Sequence, residues 1–207
     1  FIVVPTTSGT GSEVTLVAVI EDKIKNLKME FISYFLLPDI AVLDPEMTMT
    51  LPKKATASTG IDALCHAIEA YTCIQKNPLS DAYAISAIKI IMDNIEIAVK
   101  NGENKKARLS MANASLMAGI SFSNSMVGLV HAIGHSIGAV SKVPHGDAIS
   151  ILLPYVMEYN FDVVKEEYAK IALYTIPEEC INKSEEERAV LLIGKVKSLI
   201  KKSSILE

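Results

Sequence analysis

The 207-residue sequence lacks the features that define several classes of protein. It has no tryptophan and only three cysteines, Cys65, Cys73 and Cys180, which are widely spaced and form no CxxC pair. An odd number of unpaired cysteines favours reduced thiols over a disulfide framework, so we expect a cytoplasmic protein. No apolar run approaches the roughly 18 residues of a membrane span, and the first residues lack a secretory signal pattern. We therefore expect a protein that neither spans a membrane nor is exported.

An excess of one charge is also missing. Twenty Lys and Arg face 24 Asp and Glu, which gives a formal charge of −4, and the basic residues form no block. Nucleic acid and anionic membranes are therefore not expected as partners, since both are recognised by clustered positive charge. Hydrophobic residues make up 50% of the chain, which excludes intrinsic disorder and indicates a folded globular protein.

Two residue patterns meet near position 50. Residues 1–50 contain the β-branched or aromatic stretches FIVVP, VTLVAVI and FISYFLLPDIAVLDP, which are typical of strands. From Leu51 onward, Ala-rich segments with helical spacing predict seven helices, at 53–72, 80–101, 105–126, 128–140, 146–159, 161–175 and 184–202. We predict two units, an extended one at 1–50 and a helical one at 51–207.

Three of the four histidines lie in the stretch GLVHAIGHSIGAVSKVPHG, residues 128–146. In a helix, His131 and His135 stand at i and i+4 on one face, a spacing that can hold a metal ion. His145 follows in a short loop, from which its ring could turn back toward that helix. The fourth histidine, His66, has the same spacing from Asp62 in GIDALCHAIEAY.

One carboxylate and up to four imidazoles suit Fe²⁺ or Zn²⁺, whereas Ca²⁺ and Mg²⁺ would require more oxygen ligands. A single histidine on an Ala-rich helix is more often a hydrogen-bonded core residue. A cluster of three, with a carboxylate on an apolar helix that needs a partner for its charge, favours a metal site instead. Spacing leaves open which three or four groups bind.

The stretch PTTSGTGSEVT, residues 5–15, lies between two predicted strands. Small hydroxylated residues and glycines expose backbone N–H groups and hydroxyls, which suits a phosphate-bearing or amide-bearing ligand. A solvated turn between strands would have the same composition, because the stretch matches neither the GxGxxG pattern nor a Walker loop.

Four blocks together resemble the iron-containing (group III) alcohol dehydrogenases: PTTSGTGSEVT, DPEMTMTLP leading into TGIDALCHAIEAY, GLVHAIGHSIGAVSKVPHG, and ILLPYVMEYN. The resemblance covers residues 1 to about 160 in order and approximate spacing. It implies a mostly α fold, in which an all-helical metal-binding domain follows the last strands of an α/β Rossmann-like cofactor domain, a dehydroquinate synthase-like architecture. It also implies a metal-dependent enzyme that transfers a hydride between a small alcohol or aldehyde and NAD or NADP.

The resemblance assigns the site residues one by one. Asp62, His66, His131 and His145 match the family's ligands for Fe²⁺, or in some members Zn²⁺. His135 becomes a proton-relay candidate and thus the catalytic residue. The positions that line the nicotinamide are matched by Thr6, Thr7 and Thr10.

The resemblance is partial, which limits the activity it implies. The family's glycine-rich GGGS segment, which binds the pyrophosphate, has no counterpart in this sequence, and residues 1–50 supply only the end of the cofactor domain. We expect a piece of a larger protein that carries the metal site and holds a nicotinamide weakly. Homo-oligomers are common in the family. The alternatives are a zinc glycerol dehydrogenase-like enzyme, a metal-dependent hydrolase on the same ligands, and a non-catalytic helical fragment in which the histidines only pack.

Overall fold

The computed structural model describes residues 1–22, 24 and 27–203, and helices dominate this part of the chain. The mostly α class expected from the sequence is confirmed. The α-helices of the described residues are α1 (Lys53–Thr72), α2 (Pro78–Lys100), α3 (Lys105–Ser123), α4 (Leu129–Ser141), α5 (His145–Tyr159), α6 (Phe161–Thr175) and α7 (Glu185–Lys202).

The N-terminal part forms two small strand pairs. Strands β1 (Ile2–Val3) and β4 (Ile40–Ala41) pair in parallel, and β2 (Val17–Asp22) and β3 (Leu27–Ile32) form an antiparallel pair. Less of this region is strand than the sequence predicts. In the stretch FISYFLLPDIAVLDP the chain turns after β3, because the Ser33 hydroxyl accepts the Phe35 N–H and starts a short 3₁₀ turn.

Helix α1 forms the centre of the core. Fourteen of its twenty residues are buried, including Ile61, Leu64 and Ile68, which belong to one cluster with Ile88 and Ile91 of α2. A helix that is apolar on nearly every side is stable only inside a domain. Asp62, His66 and Glu69 of α1 lie in the interior, and each needs a partner there.

The helix bounds agree with the predicted ones to within three residues at every end. The largest difference is at α3, which ends at Ser123 because Met126 adopts a left-handed backbone conformation with φ 73°. Helix α2 begins earlier than predicted, since Asn77 and Ser80 form a reciprocal capping box around Pro78. The division into units at residues 50 and 51 stays a prediction.

The stretch PTTSGTGSEVT lies directly against α3. Gly11 has a left-handed backbone with φ 61°, and a Cβ built on it would lie 2.6 Å from Gly119 Cα. The two backbones can approach this closely only because both residues are glycine. This contact fixes the loop over the helix that leads toward the histidine cluster.

The length and hydropathy of the helices show whether any of them could cross a membrane. In the ranges that the structure describes, we find no helix with both the length and the apolar character needed to cross a bilayer.

Candidate metal centre

Asp62, His131 and His145 converge although 83 positions separate the first from the last in the sequence. Asp62 Oδ1 lies 3.5 Å from His131 Nε2 and 3.4 Å from His145 Nε2. One donor atom from each residue falls within 4.8 Å of the others. Asp62 comes from the middle of α1, His131 from the first turn of α4, and His145 from the first residue of α5.

The geometry fits a tetrahedral divalent ion. Ligands at bond lengths of about 2.1 Å are separated from one another by about 3.4 Å in that geometry. The measured separations from Asp62 Oδ1 match this value. Asp62 Oδ1 and His131 Nε2 are buried and have no hydrogen-bond partner within the described ranges. Buried donors and acceptors without partners are rare in folded proteins, so these atoms fit a cation held between them.

His66 lies beside the three converging residues. Its Nδ1 is 3.9 Å from Asp62 Oδ2, and its ring stacks on His131 with centroids 4.2 Å apart and on Phe122 at 4.5 Å. His66 is buried, and its Nδ1 is without a hydrogen-bond partner in the described chain. The position of this side chain is compatible with the implied role of fourth ligand, which stays a prediction.

The electrostatics keep the oxygen ligand ionised. Burial alone would raise the pKa of Asp62, but the neighbouring imidazoles of His66, His131 and His145 outweigh it and hold that pKa far below its usual value. Burial, reinforced by the nearby His131, lowers the pKa of His66 to about 3. A neutral imidazole next to a carboxylate is the protonation state in which both can bind a metal.

His135 is turned toward a different partner. Its Nδ1 lies 2.6 Å from Glu30 Oε1 on β3, and its ring centroid is 5.1 Å from that of His145. Glu30 was missed by sequence reasoning, because nothing local in KMEFIS marks one residue as the neighbour of a histidine 105 positions away. The structure thus separates two residues that helical spacing had paired: His131 faces Asp62, and His135 faces the hairpin of β2 and β3.

These groups share one cavity of about 620 Å³. All four histidines and Asp62 line it, together with Phe122, Met126 and Val127 and with residues of the β2 and β3 hairpin. Of the three implied nicotinamide contacts, Thr10 lines the cavity, whereas Thr6 is exposed and Thr7 half-buried just after β1. Ser12 and Thr15, which sequence reasoning did not single out, line it as well.

A helical domain that brings one carboxylate and several imidazoles to a cavity, with a Ser/Thr/Gly loop on its wall, has the layout of a metal-dependent active site. Comparison with known families agrees. The C-terminal pattern of the Fe-containing alcohol dehydrogenase family matches residues 56–206, and the iron-containing alcohol dehydrogenase pattern matches residues 1–45. The chain belongs to the iron-containing alcohol dehydrogenase family, which confirms the resemblance.

Similar curated proteins carry names of alcohol dehydrogenases. The NAD-dependent methanol dehydrogenase of Bacillus methanolicus is 44% identical over 83% of this chain and 45% of its own length. The NADPH-dependent butanol dehydrogenase of Clostridium saccharobutylicum is 40% identical over 99% of this chain and 52% of its own length. The chain spans about half the length of these relatives.

Solved structures show the same fold. An alcohol dehydrogenase from Oenococcus oeni superposes with a TM-score of 0.94 at 38% identity, over 99% of this chain and 53% of that one. A 1,3-propanediol oxidoreductase also superposes with a TM-score of 0.94, at 39% identity and with the same coverage. The described helices and strands are therefore arranged as in roughly half of a complete member of the family.

Proposed function

We propose that this chain carries the metal centre and part of the nicotinamide site of an NAD(P)-dependent alcohol dehydrogenase that interconverts small alcohols and aldehydes. The convergence of Asp62 Oδ1 with the ring nitrogens of His131 and His145 is the observation that supports the proposal most directly. Fe²⁺ is the ion the family favours, and Zn²⁺ accepts the same donor set.

The position of each residue in the cavity sets its proposed role. Asp62, His131 and His145, with His66 as the fourth ligand, would hold the ion, which would supply Lewis-acid chemistry at the substrate oxygen, and the nicotinamide would supply the hydride chemistry. His135 takes the hydroxyl proton during oxidation and returns it during reduction.

Two further features of the cavity support the reaction. The hydrogen bond to Glu30 keeps His135 Nδ1 occupied, so Nε2 is the nitrogen left to exchange the proton. The hydroxyl of Thr10 on the cavity wall would bind the nicotinamide end of the cofactor, with Thr6 and Thr7 of the same loop outside the cavity lining. Phe122 stacks on His66 and lines the cavity, which restricts water around the reacting carbon.

Metal content tests the ligand assignment. The chain is purified without oxygen, supplied with Fe²⁺ or Zn²⁺, and analysed for bound metal. We expect about one ion per chain, with loss of it in His131→Ala and in His66→Ala. His135→Ala is the matched control, because it removes a neighbouring imidazole on the same helix and should retain the ion. A His135→Ala variant that loses metal as completely as His131→Ala would contradict the assignment.

Activity tests the reaction itself. The longest natural polypeptide that contains this chain is assayed for NADH and NADPH oxidation with short aldehydes. We expect metal-dependent turnover with one of the two cofactors, and a strong loss of kcat in His135→Ala with metal retained. Metal-dependent hydrolysis of an ester without any nicotinamide would instead favour the hydrolase alternative.

A further inference from the structure

A second buried carboxylate, that of Glu69, lies on the far side of the His131 ring from Asp62. Glu69 Oε2 is 2.6 Å from His131 Nδ1, and Asp62 Oδ1 is 3.5 Å from His131 Nε2. The ring of His131 is thus held between two carboxylates of the same helix. Asp62 and Glu69 are seven positions apart on α1, which is two helical turns and places them on one face.

Glu69 also binds the start of α4. Its Oε2 accepts the Gly128 N–H at 3.0 Å and its Oε1 accepts the Val130 N–H at 2.6 Å. Gly128 precedes α4 and has no side chain that could accept these bonds, so a residue 59 positions earlier in the chain caps the helix. The partial positive charge of the helix N-terminus favours a carboxylate at this place.

Gly128 leaves room for this contact. A Cβ built on it would lie 3.0 Å from Glu69 Oε1, tighter than nine in ten real Cβ contacts, so a larger residue would have to shift the carboxylate by a few tenths of an ångström. The glycine lets the carboxylate reach both backbone N–H groups and the imidazole without that shift. The cap and the contact with the ring therefore form one arrangement.

This arrangement determines which ring nitrogen of His131 can bind the metal. The carboxylate accepts two backbone N–H bonds and is buried, with 6% of the residue exposed. An ionised carboxylate can only accept, so the proton between it and the imidazole belongs to Nδ1. With the metal bound, the lone pair of Nε2 would then be directed toward Asp62 and His145. Carboxylates that hold a metal-binding histidine in this way orient the ring and increase its strength as a ligand.

We propose that Glu69 is a positioning residue of the metal centre, which holds His131 in the Nδ1–H form with Nε2 turned to the metal while it caps α4. The inference rests on the proposed function, because it requires the metal site. Glu69 is not one of the ligands that the resemblance implies. Loss of its carboxylate should weaken metal binding by more than the loss of a helix cap elsewhere would.

The test compares Glu69→Gln with a remote cap variant. Ser184→Ala removes the side-chain cap of α7, where Ser184 Oγ accepts the Glu187 N–H far along the chain from the site. Both variants should lose stability, measured by urea unfolding. Zn²⁺ affinity, measured by competition with a chromophoric chelator, should fall 10- to 100-fold in Glu69→Gln only, as is usual for loss of such a partner. Glu69→Asp, which restores the carboxylate, should recover part of the affinity.

The protonation state of His131 provides a second test. If Glu69 only stabilised the fold, it would not determine which ring nitrogen of His131 carries the proton. In the Zn²⁺-loaded protein, ¹⁵N NMR should show His131 with a protonated Nδ1 and a metal-bound Nε2, and this measurement on the unmodified chain holds even if the variants fail to fold. A metal-bound Nδ1, or an unchanged Zn²⁺ affinity in Glu69→Gln, would overturn the inference. An unmodified chain that binds no Zn²⁺ and no Fe²⁺ would instead overturn the proposed function on which it rests.

Discussion

Met126 combines an unfavourable backbone conformation with a position on the wall of the cavity. Its φ of 73° lies in the left-handed region, which costs a residue with a Cβ about 1 kcal/mol or more relative to glycine. The conformation follows from the turn between α3 and α4, where the Met126 N–H donates to the Phe122 carbonyl at 2.7 Å. Backbone strain at this point is therefore built into the wall of the site.

Paired truncations of Met126 separate this strain from the loss of the side chain. Met126→Ala and Met126→Gly both remove everything beyond Cβ, but only glycine relieves the left-handed strain. We expect Met126→Gly to be about 1 kcal/mol more stable than Met126→Ala in urea unfolding. Equal stability of the two variants would show that the backbone at this position is not strained.

Glu13 is a buried acid within the stretch PTTSGTGSEVT, residues 5–15. Burial raises the pKa of its carboxyl above the ordinary value of 4.5, and among the described residues Oε1 has no hydrogen-bond partner. The folded state thus binds more protons than the unfolded state once the pH passes about 4.5. Stability should fall as the pH rises through the window between the unfolded and the folded pKa.

Replacing Glu13 by Gln tests that sign. The amide cannot ionise, so Glu13→Gln should be more stable than the unmodified chain at pH 7, and the difference should shrink as the pH falls from the folded pKa toward about 4.5 and change little below it. Urea unfolding of both proteins over a pH series measures this difference directly. A variant that is less stable at pH 7 but not at pH 4 would reverse the sign and refute the prediction.

At the scale of secondary structure, α1 carries the chemistry of the site along one face. Asp62, His66 and Glu69 follow at i, i+4 and i+7, and the apolar residues between them pack in the core. A central, fully packed helix is the most rigid element available to hold ligands. The partners on α4 and α5 are positioned against it by their first turns.

The contact between the loop of residues 5–15 and α3 gives a prediction at the same scale. A Cβ at Gly119 would lie 2.7 Å from Gly11 O and 3.0 Å from Val14 Cγ2, so Gly119→Ala must displace the loop. We expect a loss of about 1–3 kcal/mol in stability and faster hydrogen exchange across the loop.

Gly194 provides the matched control for this variant. It lies exposed in α7 with nothing within 4 Å of its built Cβ, so Gly194→Ala should gain up to about 1 kcal/mol from helix propensity. If Gly119→Ala and Gly194→Ala change stability in the same direction, the close approach of the loop to α3 does not determine the stability of Gly119→Ala.

At the scale of the whole molecule, the proposed metal site predicts that metal binding and folding are coupled. The proposed ligands come from α1, α4 and α5, and the unfolded chain does not hold them together. Zn²⁺ at 100 times its Kd should stabilise the chain by about 2.7 kcal/mol, visible as a rise in Tm. The same concentration should leave the Tm of His131→Ala nearly unchanged. A rise of equal size in that variant would place the binding elsewhere.

The sequence by itself determined the helices and the candidate ligands. Helix α1 follows Pro52 and spans Lys53–Thr72, as predicted, because helix formation depends on local spacing and propensity. Residue types and spacings single out Asp62 and the four histidines as candidates for a borderline divalent ion, and the family resemblance selects Asp62, His66, His131 and His145 among them.

Only the tertiary structure decided which groups meet. Helical spacing treats His131 and His135 alike, yet the packing of α4 directs His131 to Asp62 and His135 to Glu30. Glu69 reads as an ordinary surface residue of an Ala-rich helix until α4 is placed against it. Spacing along a helix carries no information about segments 60 or more residues away, and their positions follow from burial of the shared core.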